Sequence, residues 1–346
     1  MQIFLITFIL SFVFSAVIVI IANKHGWFLN QHDFVGVQKF HQHPTPHIGG
    51  LAVFLSFAFA NYLLPSEASM VLAPILLVAV PVFIVGLAED FSTKISPLWR
   101  LIVVFISLSA SFFYLDIGVD SLGFGWTDEL LSYPLIGLAF TLLVVGGSVN
   151  SVNVIDGYNG LMAGYGILAS LAMFFVAYQL GDVVIMQLNL LLIASMLGFF
   201  LLNFPLGKIF MGDGGAYFIG FMLSMIGLVF VERHAELSNW FVLLLLMYPM
   251  YELLYSIYRR RIINGTPASQ PDGQHLHMLV YKQVSINNLQ QSKVANNSKT
   301  SPYLWMLSLF SIIPAIFYYD NKLALIASAC AFMLIYTGIY RYFNKH

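Results

Sequence analysis

Long apolar stretches dominate this sequence, and they constrain its fold more than any other feature. Each is about 20 residues long, enough for a helix to cross the hydrocarbon core of a bilayer. Hydrophobic residues make up 59% of the chain and charged residues only 9%, whereas about a quarter of the residues in a soluble domain are charged. Uninterrupted spans satisfy their backbone hydrogen bonds as helices rather than as barrel strands. The sequence therefore predicts an all-α polytopic membrane helix bundle.

We place about eleven transmembrane helices along the chain, each about 20 residues long. They run roughly over 2–22, 48–64, 71–87, 98–115, 134–152, 160–179, 185–203, 214–231, 239–259, 303–319 and 323–343. The first stretch lacks the positive charges and the cleavage site of a signal peptide, so we interpret it as a retained helix. We predict one integral membrane domain over residues 1–346, which includes a cytoplasmic loop at about 260–301. The asparagine, glutamine and serine run of that loop, over 287–301, indicates a mobile polar segment.

Positive charge is sorted between the two predicted faces of the bundle. Of the 15 lysines and arginines, all but Arg233 and Lys322 fall on the face where odd-numbered spans end and even-numbered spans begin. Loops rich in lysine and arginine stay in the cytoplasm. We therefore expect a multi-pass protein of the inner membrane, with its amino terminus outside and its carboxy terminus in the cytoplasm. The net charge of −1 gives no indication of nucleic acid as a partner, and we expect none.

Five polar motifs interrupt the apolar pattern, and all five fall on the predicted cytoplasmic face. They are Lys39-Phe-His41 with Gly49-Gly50; Glu89-Asp90; Asn150-x-x-Asn153-x-x-Asp156-Gly157; Gly212-Asp213-Gly214; and His275-x-His277, which follows Asp272 and a basic run at 259–261. Polar side chains at the end of an apolar helix must each find a partner or water. Their collection at one water boundary therefore indicates an active site at the cytoplasmic face.

The two aspartate motifs favour metal and phosphate chemistry. Asn150, Asn153 and Asp156 are three residues apart, which predicts that they share one face of a helix end. The glycines around Asp213 permit close backbone approach, and a helix that starts there offers free N–H groups to a phosphate. Asp213 itself suits a divalent cation that bridges phosphate oxygens.

The histidine motif has two interpretations on its residues alone. Histidines next to arginines suit a pyrophosphate. Zinc is the alternative, although no cysteine and no further ligand spacing accompany His275 and His277. A lone acid, Glu252, lies inside the ninth predicted span, and we assign it no catalytic role.

Taken in order, these motifs resemble the polyprenyl-phosphate N-acetylhexosamine-1-phosphate transferases, glycosyltransferase family 4. The likeness runs from about residue 33 to residue 277. It is carried by Lys39-Phe-His41, Pro44-Thr-Pro46, Gly49-Gly50, Gly86-Leu-Ala-Glu89-Asp90, Asn150-Ser-Val-Asn153-Val-Ile-Asp156-Gly157, Phe210-Met-Gly-Asp213 and His275-Leu-His277. It implies transfer of a sugar 1-phosphate from a UDP-sugar, with UDP-N-acetylglucosamine as the default, to undecaprenyl phosphate. UMP is released, and the pathway is one for a cell-surface polysaccharide such as O-antigen or lipopolysaccharide.

The resemblance also implies roles for individual residues and a requirement for Mg²⁺, with Mn²⁺ as an alternative. Asp213 and Asp90 would bind the metal, and Asp156 would be the remaining essential carboxylate. The substrate-binding residues would be Lys39, His41, Asn150, Asn153, Arg100, His275 and His277. Among these, the two histidines would contact the donor diphosphate.

Three positions depart from the usual pattern of the family. Glu89 replaces the first aspartate of a pair, and Met278 replaces a third histidine. Asn159 stands where a further aspartate is common, which weighs against the pentapeptide transferase branch. The remaining His-x-His form is closer to the N-acetylglucosamine branch.

Two mechanisms and two other protein classes stay open at this stage. The lipid phosphate attacks directly, with Asp90 positioning it or removing a residual proton, or else Asp90 forms a covalent aspartyl-phosphate. A membrane transporter is the alternative class, although transporters tend to place charges at the bilayer midplane. A lipid-phosphate hydrolase is the second alternative.

Overall fold

The computed structural model describes residues 1–27, 45–92, 95–267 and 272–345, and these residues form helices and no strand. The helices are α1 (Gln2–His25), α2 (Gly49–Ala60), α3 (Ser66–Ser92), α4 (Pro97–Tyr114), α5 (Gly125–Leu131), α6 (Pro134–Val154), α7 (Leu161–Leu180), α8 (Val183–Asn203), α9 (Gly212–Arg233), α10 (Asn239–Leu245), α11 (Met247–Tyr258), α12 (Leu276–Asn287), α13 (Lys293–Phe317) and α14 (Lys322–Lys345). The predicted all-α bundle is confirmed.

The number of spans differs from the prediction. Among the described residues, nine helices are long and apolar enough to cross a membrane, and α10 with α11 adds a tenth if that bent pair is one span. The second predicted span is the shorter apolar stretch Gly49–Leu63, below the roughly 20 residues that a crossing needs. The count of eleven is therefore not confirmed.

Helix α9 forms the centre of the bundle, and 94% of the residues in its 18-residue apolar stretch are buried. Its first turn touches two neighbouring helices at glycines. A Cβ added to Gly50 of α2 would stand 2.2 Å from the Cα of Gly215, and one added to Gly86 of α3 would stand 2.6 Å from the Cα of Gly214. Small residues let membrane helices approach this closely. Two glycines of the Asp213 motif, Gly214 and Gly215, therefore bring helices together.

The helix bends by 71° between α10 and α11. Pro249 has no N–H group, so the carbonyl of Leu245 has no partner one turn later in the helix. The Tyr165 hydroxyl donates to that carbonyl at 2.6 Å. This external hydrogen bond stabilises the break, and α11 beyond it brings Glu252 into the interior, where it is 1% exposed.

The predicted loop at 260–301 contains α12, and its polar run at 287–301, predicted as mobile, contains the first turns of α13. Its polar side chains are used inside the protein. Asn297 Oδ1 accepts the N–H of Asn159 at 2.7 Å, and the Ser301 hydroxyl donates to the Asn159 carbonyl at 2.6 Å. The loop prediction failed because an asparagine- and serine-rich composition does not reveal whether those groups bond to water or to a neighbouring turn.

Candidate active site

Four helix ends meet at one end of the bundle, and they bring together three of the five predicted motifs. Asp213 is the second residue of α9, and Arg100 in the first turn of α4 forms an ion pair with its Oδ2. Asn153, near the end of α6, donates from Nδ2 to Asp213 Oδ1 at 2.8 Å. The Asp213 side chain nevertheless remains 29% exposed. It is held from two sides and is still open to solvent.

Asp90, near the end of α3, binds the start of α9. Its Oδ1 accepts the N–H of Asp213 at 2.7 Å, and its Oδ2 accepts the N–H of Gly214 at 3.1 Å. The first N–H groups of a helix have no partner within it, so Asp90 satisfies them from a neighbouring helix. This corrects the expectation that the start of α9 offers free N–H groups to a phosphate. Those of Asp213 and Gly214 are occupied.

Asp156 lies in the turn after α6 rather than on the helix, which corrects its predicted place on one helical face with Asn150 and Asn153. Its own N–H donates to the Asn153 carbonyl at 3.1 Å. Removal of water by the surrounding protein, with repulsion from Asp213 and Asp90, raises the pKa of Asp156 well above its usual value. A hydrogen bond from the Gly212 amide only partly offsets this increase. The turn thus holds a carboxyl group whose charge is poorly compensated.

The three carboxylates fit a divalent cation by the chemistry of their donors. Asp90, Asp156 and Asp213 are close enough to repel one another, and Arg100 forms an ion pair with one of them. Carboxylate oxygens are the ligands that Mg²⁺ prefers. A cation would also offset the repulsion that raises the pKa of Asp156.

Other predicted residues lie at the margins of this cluster. Asn150 Oδ1 accepts a long hydrogen bond from the Tyr217 hydroxyl, at 3.4 Å. Tyr217, which the sequence analysis missed, also carries the Arg100 guanidinium 5.8 Å from its ring centroid. Glu89 accepts the N–H of Ile95 at 2.9 Å and so fixes the connection to α4. Lys39 and His41 lie outside the described residues.

The two histidines approach the cluster from the side of the Asp156 turn. His275 and His277 are 5% and 1% exposed, and their rings stack with centroids 5.1 Å apart. His277 Nε2 would lie 3.9 Å from a Cβ added to Gly157. The structure also brings Glu252 to these histidines. The only sequence signal for it was an acid within a membrane span.

Comparison with known proteins shows that the sequence is similar to a family of glycosyl transferases. Residues 72–231 match the model of glycosyl transferase family 4. The chain is similar to the probable undecaprenyl-phosphate N-acetylglucosaminyl 1-phosphate transferase of Bacillus subtilis, with 29% identity over 79% of this chain and 75% of the relative. It is 28% identical to the undecaprenyl-phosphate alpha-N-acetylglucosaminyl 1-phosphate transferase of Thermotoga maritima, over 80% of each chain. It is 31% identical to the decaprenyl-phosphate N-acetylglucosaminephosphotransferase of Mycobacterium tuberculosis, over 68% of this chain and 65% of the relative.

Proposed function

The chain belongs to glycosyl transferase family 4, and from that premise we propose that it transfers an N-acetylhexosamine 1-phosphate from a UDP-sugar to undecaprenyl phosphate. UDP-N-acetylglucosamine is the default donor, since the relatives are named for that sugar. The observation that carries the proposal is the meeting of Asp90, Asp156 and Asp213 with Arg100 and Asn153 at one end of an apolar bundle. A lipid phosphate and a nucleotide sugar can meet only at such a water boundary.

The proposed metal is Mg²⁺, with Mn²⁺ as an alternative, held by Asp213 and Asp90, with Asp156 as a neighbouring carboxylate. When bound, the cation would offset negative charge on the phosphates of both substrates. Asn153 orients Asp213 through its amide, and Arg100 supplies a positive charge on the same carboxylate. These two side chains leave Asp213 in one orientation before a substrate arrives.

In the proposed reaction, an oxygen of the lipid phosphate attacks the sugar-bearing phosphorus of the donor. The bond from that phosphorus to the bridging oxygen breaks, and UMP leaves with the electron pair. The lipid phosphate has a second pKa near 6, so it is largely dianionic at neutral pH and needs little general-base help. Both oxygens of Asp90 accept backbone N–H groups, which favours a positioning role over a covalent aspartyl-phosphate.

We propose that the reaction takes place at the cytoplasmic face of the inner membrane, as a membrane step of a cell-surface polysaccharide pathway. The support is the distribution of lysine and arginine, which leaves Arg233 and Lys322 alone on the opposite predicted face. Helix α9 carries Asp213 at one end and Arg233 at the other, consistent with that sorting.

A panel of radiolabelled UDP-sugars, incubated with the purified protein and undecaprenyl phosphate in detergent, tests the proposal. We expect label on the lipid and an equal amount of released UMP, with one N-acetylhexosamine donor preferred. Free sugar phosphate without labelled lipid would indicate a hydrolase. In sealed vesicles, uptake of intact donor without UMP would indicate a transporter.

A further inference from the structure

Glu252 forms a buried hydrogen-bonded cluster that the proposed reaction does not yet use. Its Oε1 accepts two N–H groups, from Leu276 at 3.0 Å and from His275 Nδ1 at 3.0 Å. Its Oε2 has no hydrogen bond of normal geometry among the described residues, although the buried Tyr336 hydroxyl lies near the carboxylate. Burying a carboxylate is costly unless it is paired. Glu252 lies on α11, and its partners are at the start of α12.

The second ring nitrogen of His275 identifies where the proton lies. Arg260 approaches His275 Nε2 at 3.0 Å, and a guanidinium can only donate. Nε2 therefore accepts, and Nδ1 carries the proton that is donated to Glu252. Asp272 holds Arg260 in turn, with its Oδ2 3.1 Å from Arg260 Nε. Arg260 and Glu252 together fix the tautomer of His275, and Glu252 orients its ring by accepting the Nδ1 proton.

His277 connects this cluster to the carboxylates. Its ring stacks on His275 at an interplanar angle of 4°, and a ring nitrogen lies within 4.8 Å of ligand atoms of both His275 and Glu252. Burial and the neighbouring His275 lower the pKa of His277 to about 4, against the opposing effect of Glu252, so the ring is neutral at pH 7. Its Nε2 faces Gly157, next to Asp156.

Two histidines and one carboxylate also form a common ligand set for zinc. The hydrogen bonds argue against that occupant here. His275 Nδ1 would have to lose its proton to bind a metal, and Nε2 would then need a proton that conflicts with the donating Arg260. The cluster instead forms a hydrogen-bonded chain from Asp272 through Arg260 and His275 to Glu252.

We propose that Glu252 is a positioning residue for the sugar-nucleotide donor: through His275 it fixes the stacked His275–His277 pair against the Asp156 turn. The inference rests on the proposed function, because it assigns the donor to this side of the site. Glu252 contacts neither substrate nor reacting atoms. Its loss releases the imidazoles, and the donor then binds a site that is no longer pre-organised.

Steady-state kinetics with both substrates varied tests this role. Glu252→Ala leaves the His275 and Leu276 N–H groups without an acceptor, and we expect the donor KM to rise about tenfold. The KM for undecaprenyl phosphate stays unchanged. Glu252→Gln keeps an acceptor oxygen and restores the donor KM to within about threefold of wild type. The matched control is Asn189→Ala, a buried polar side chain of α8 bonded to its own helix, which changes neither KM.

A double-mutant cycle keeps the proposal falsifiable if Glu252→Ala folds poorly. His275→Ala alone should reproduce the rise in the donor KM with an unchanged KM for undecaprenyl phosphate, because Glu252 acts through His275. In that background, Glu252→Ala should raise the donor KM no further. Equal rises in both KM values, full additivity, or an unchanged donor KM in Glu252→Ala would overturn the proposal. So would stoichiometric zinc in the wild type that Glu252→Gln removes. Wild-type protein that releases no UMP from any UDP-sugar would instead contradict the proposed function.

Discussion

An aspartate lies near each end of α9, and the two differ in whether neighbouring groups compensate their negative charge. At the end that carries Arg233, Asp182 is 5% exposed. Its carboxylate accepts from Arg233 Nε at 2.7 Å and from the Ile185 N–H at 3.1 Å, and it lies 2.9 Å from His234 Nε2. At the other end, Asp156 keeps more of its surface exposed, yet it faces two other carboxylates.

Their pKa values separate accordingly. Burial alone would raise the pKa of Asp182, but hydrogen bonds from Arg233, the Ile185 amide and His234 outweigh it and lower that pKa below 3.8. The pKa of Asp156 is raised. Removal of water raises the pKa of both aspartates, but the partners of Asp182 compensate its charge, whereas the two carboxylates that face Asp156 add to the increase. A compensated aspartate stabilises the fold, whereas an uncompensated one marks a site that needs a cation.

The largest expected effect comes from Asp213→Asn. The variant keeps an oxygen for Asn153 but loses the charge that pairs with Arg100 and would bind a cation. We expect kcat for UMP release to fall at least about 10³-fold, with an unchanged elution profile in detergent. Asp182→Asn, at the opposite end of α9, is the control and should keep its turnover per folded molecule. Substantial turnover by Asp213→Asn would remove the functional distinction between the two ends.

The variants Gly86→Ala and Gly227→Ala test the packing of α9 against its neighbours near each of its two ends. In Gly86→Ala, the new Cβ meets backbone atoms of Gly214 and Asp213, 2.6 to 2.8 Å away. Helix α3 must shift, and Asp90 lies one turn further along it. We expect a loss of about 1–3 kcal/mol in stability and about 10² in kcat.

Gly227→Ala is the matched control for that pair. The three atoms nearest to its new Cβ, from 2.7 Å, all belong to the Val242 side chain, which can change its rotamer. The loss of stability in thermal unfolding and the fall in kcat for UMP release should both be smaller than in Gly86→Ala. Equal losses of kcat in the two variants would show that α3 does not position Asp90.

Asp156→Asn should separate stability from activity. Neutralising a carboxyl with a raised pKa removes repulsion from Asp213 and Asp90, so in EDTA at pH 7.5 we expect a gain of about 1 kcal/mol. Mg²⁺ should stabilise the wild type more than the variant, and transfer activity should fall. Thermal unfolding with and without Mg²⁺ provides the measurement. A variant that is less stable than wild type in EDTA would show that Asp156 is compensated like Asp182.

Much of the fold could be predicted from the sequence because apolar length is a local property. The nine long spans found among the described residues follow from it directly. The bend between α10 and α11 did not, since Pro249 shows only that one helical hydrogen bond is missing, whereas the donor that replaces it, Tyr165, is distant in sequence. The helical start of α13 was missed because Asn297 and Ser301 bond to a turn that is distant in sequence.

The candidate site, like the fold, has features that could be predicted from local sequence and features that could not. Asp90, Asp156 and Asp213 could be chosen from short motifs, since each motif carries its residue types and spacing locally. The different contacts that each carboxylate makes could not be predicted. Asp90 accepts N–H groups of α9, 123 residues away, and Glu252 reaches His275 across 23 residues. Such contacts depend on how helices pack, which no single motif records.

The acid dependence of Asp182 should appear in stability and leave turnover per folded molecule unchanged. Its pKa is lowered on folding, so its contribution to stability is complete above 3.8 and is lost as the pH falls through the folded value. The difference in unfolding free energy between wild type and Asp182→Asn should be about 1–2 kcal/mol at pH 7 and should shrink below pH 3.8. Wild type and variant are compared by thermal unfolding in one detergent from pH 7 downwards. A difference that stays constant across this range would mean that Asp182 contributes through its shape and not through its charge.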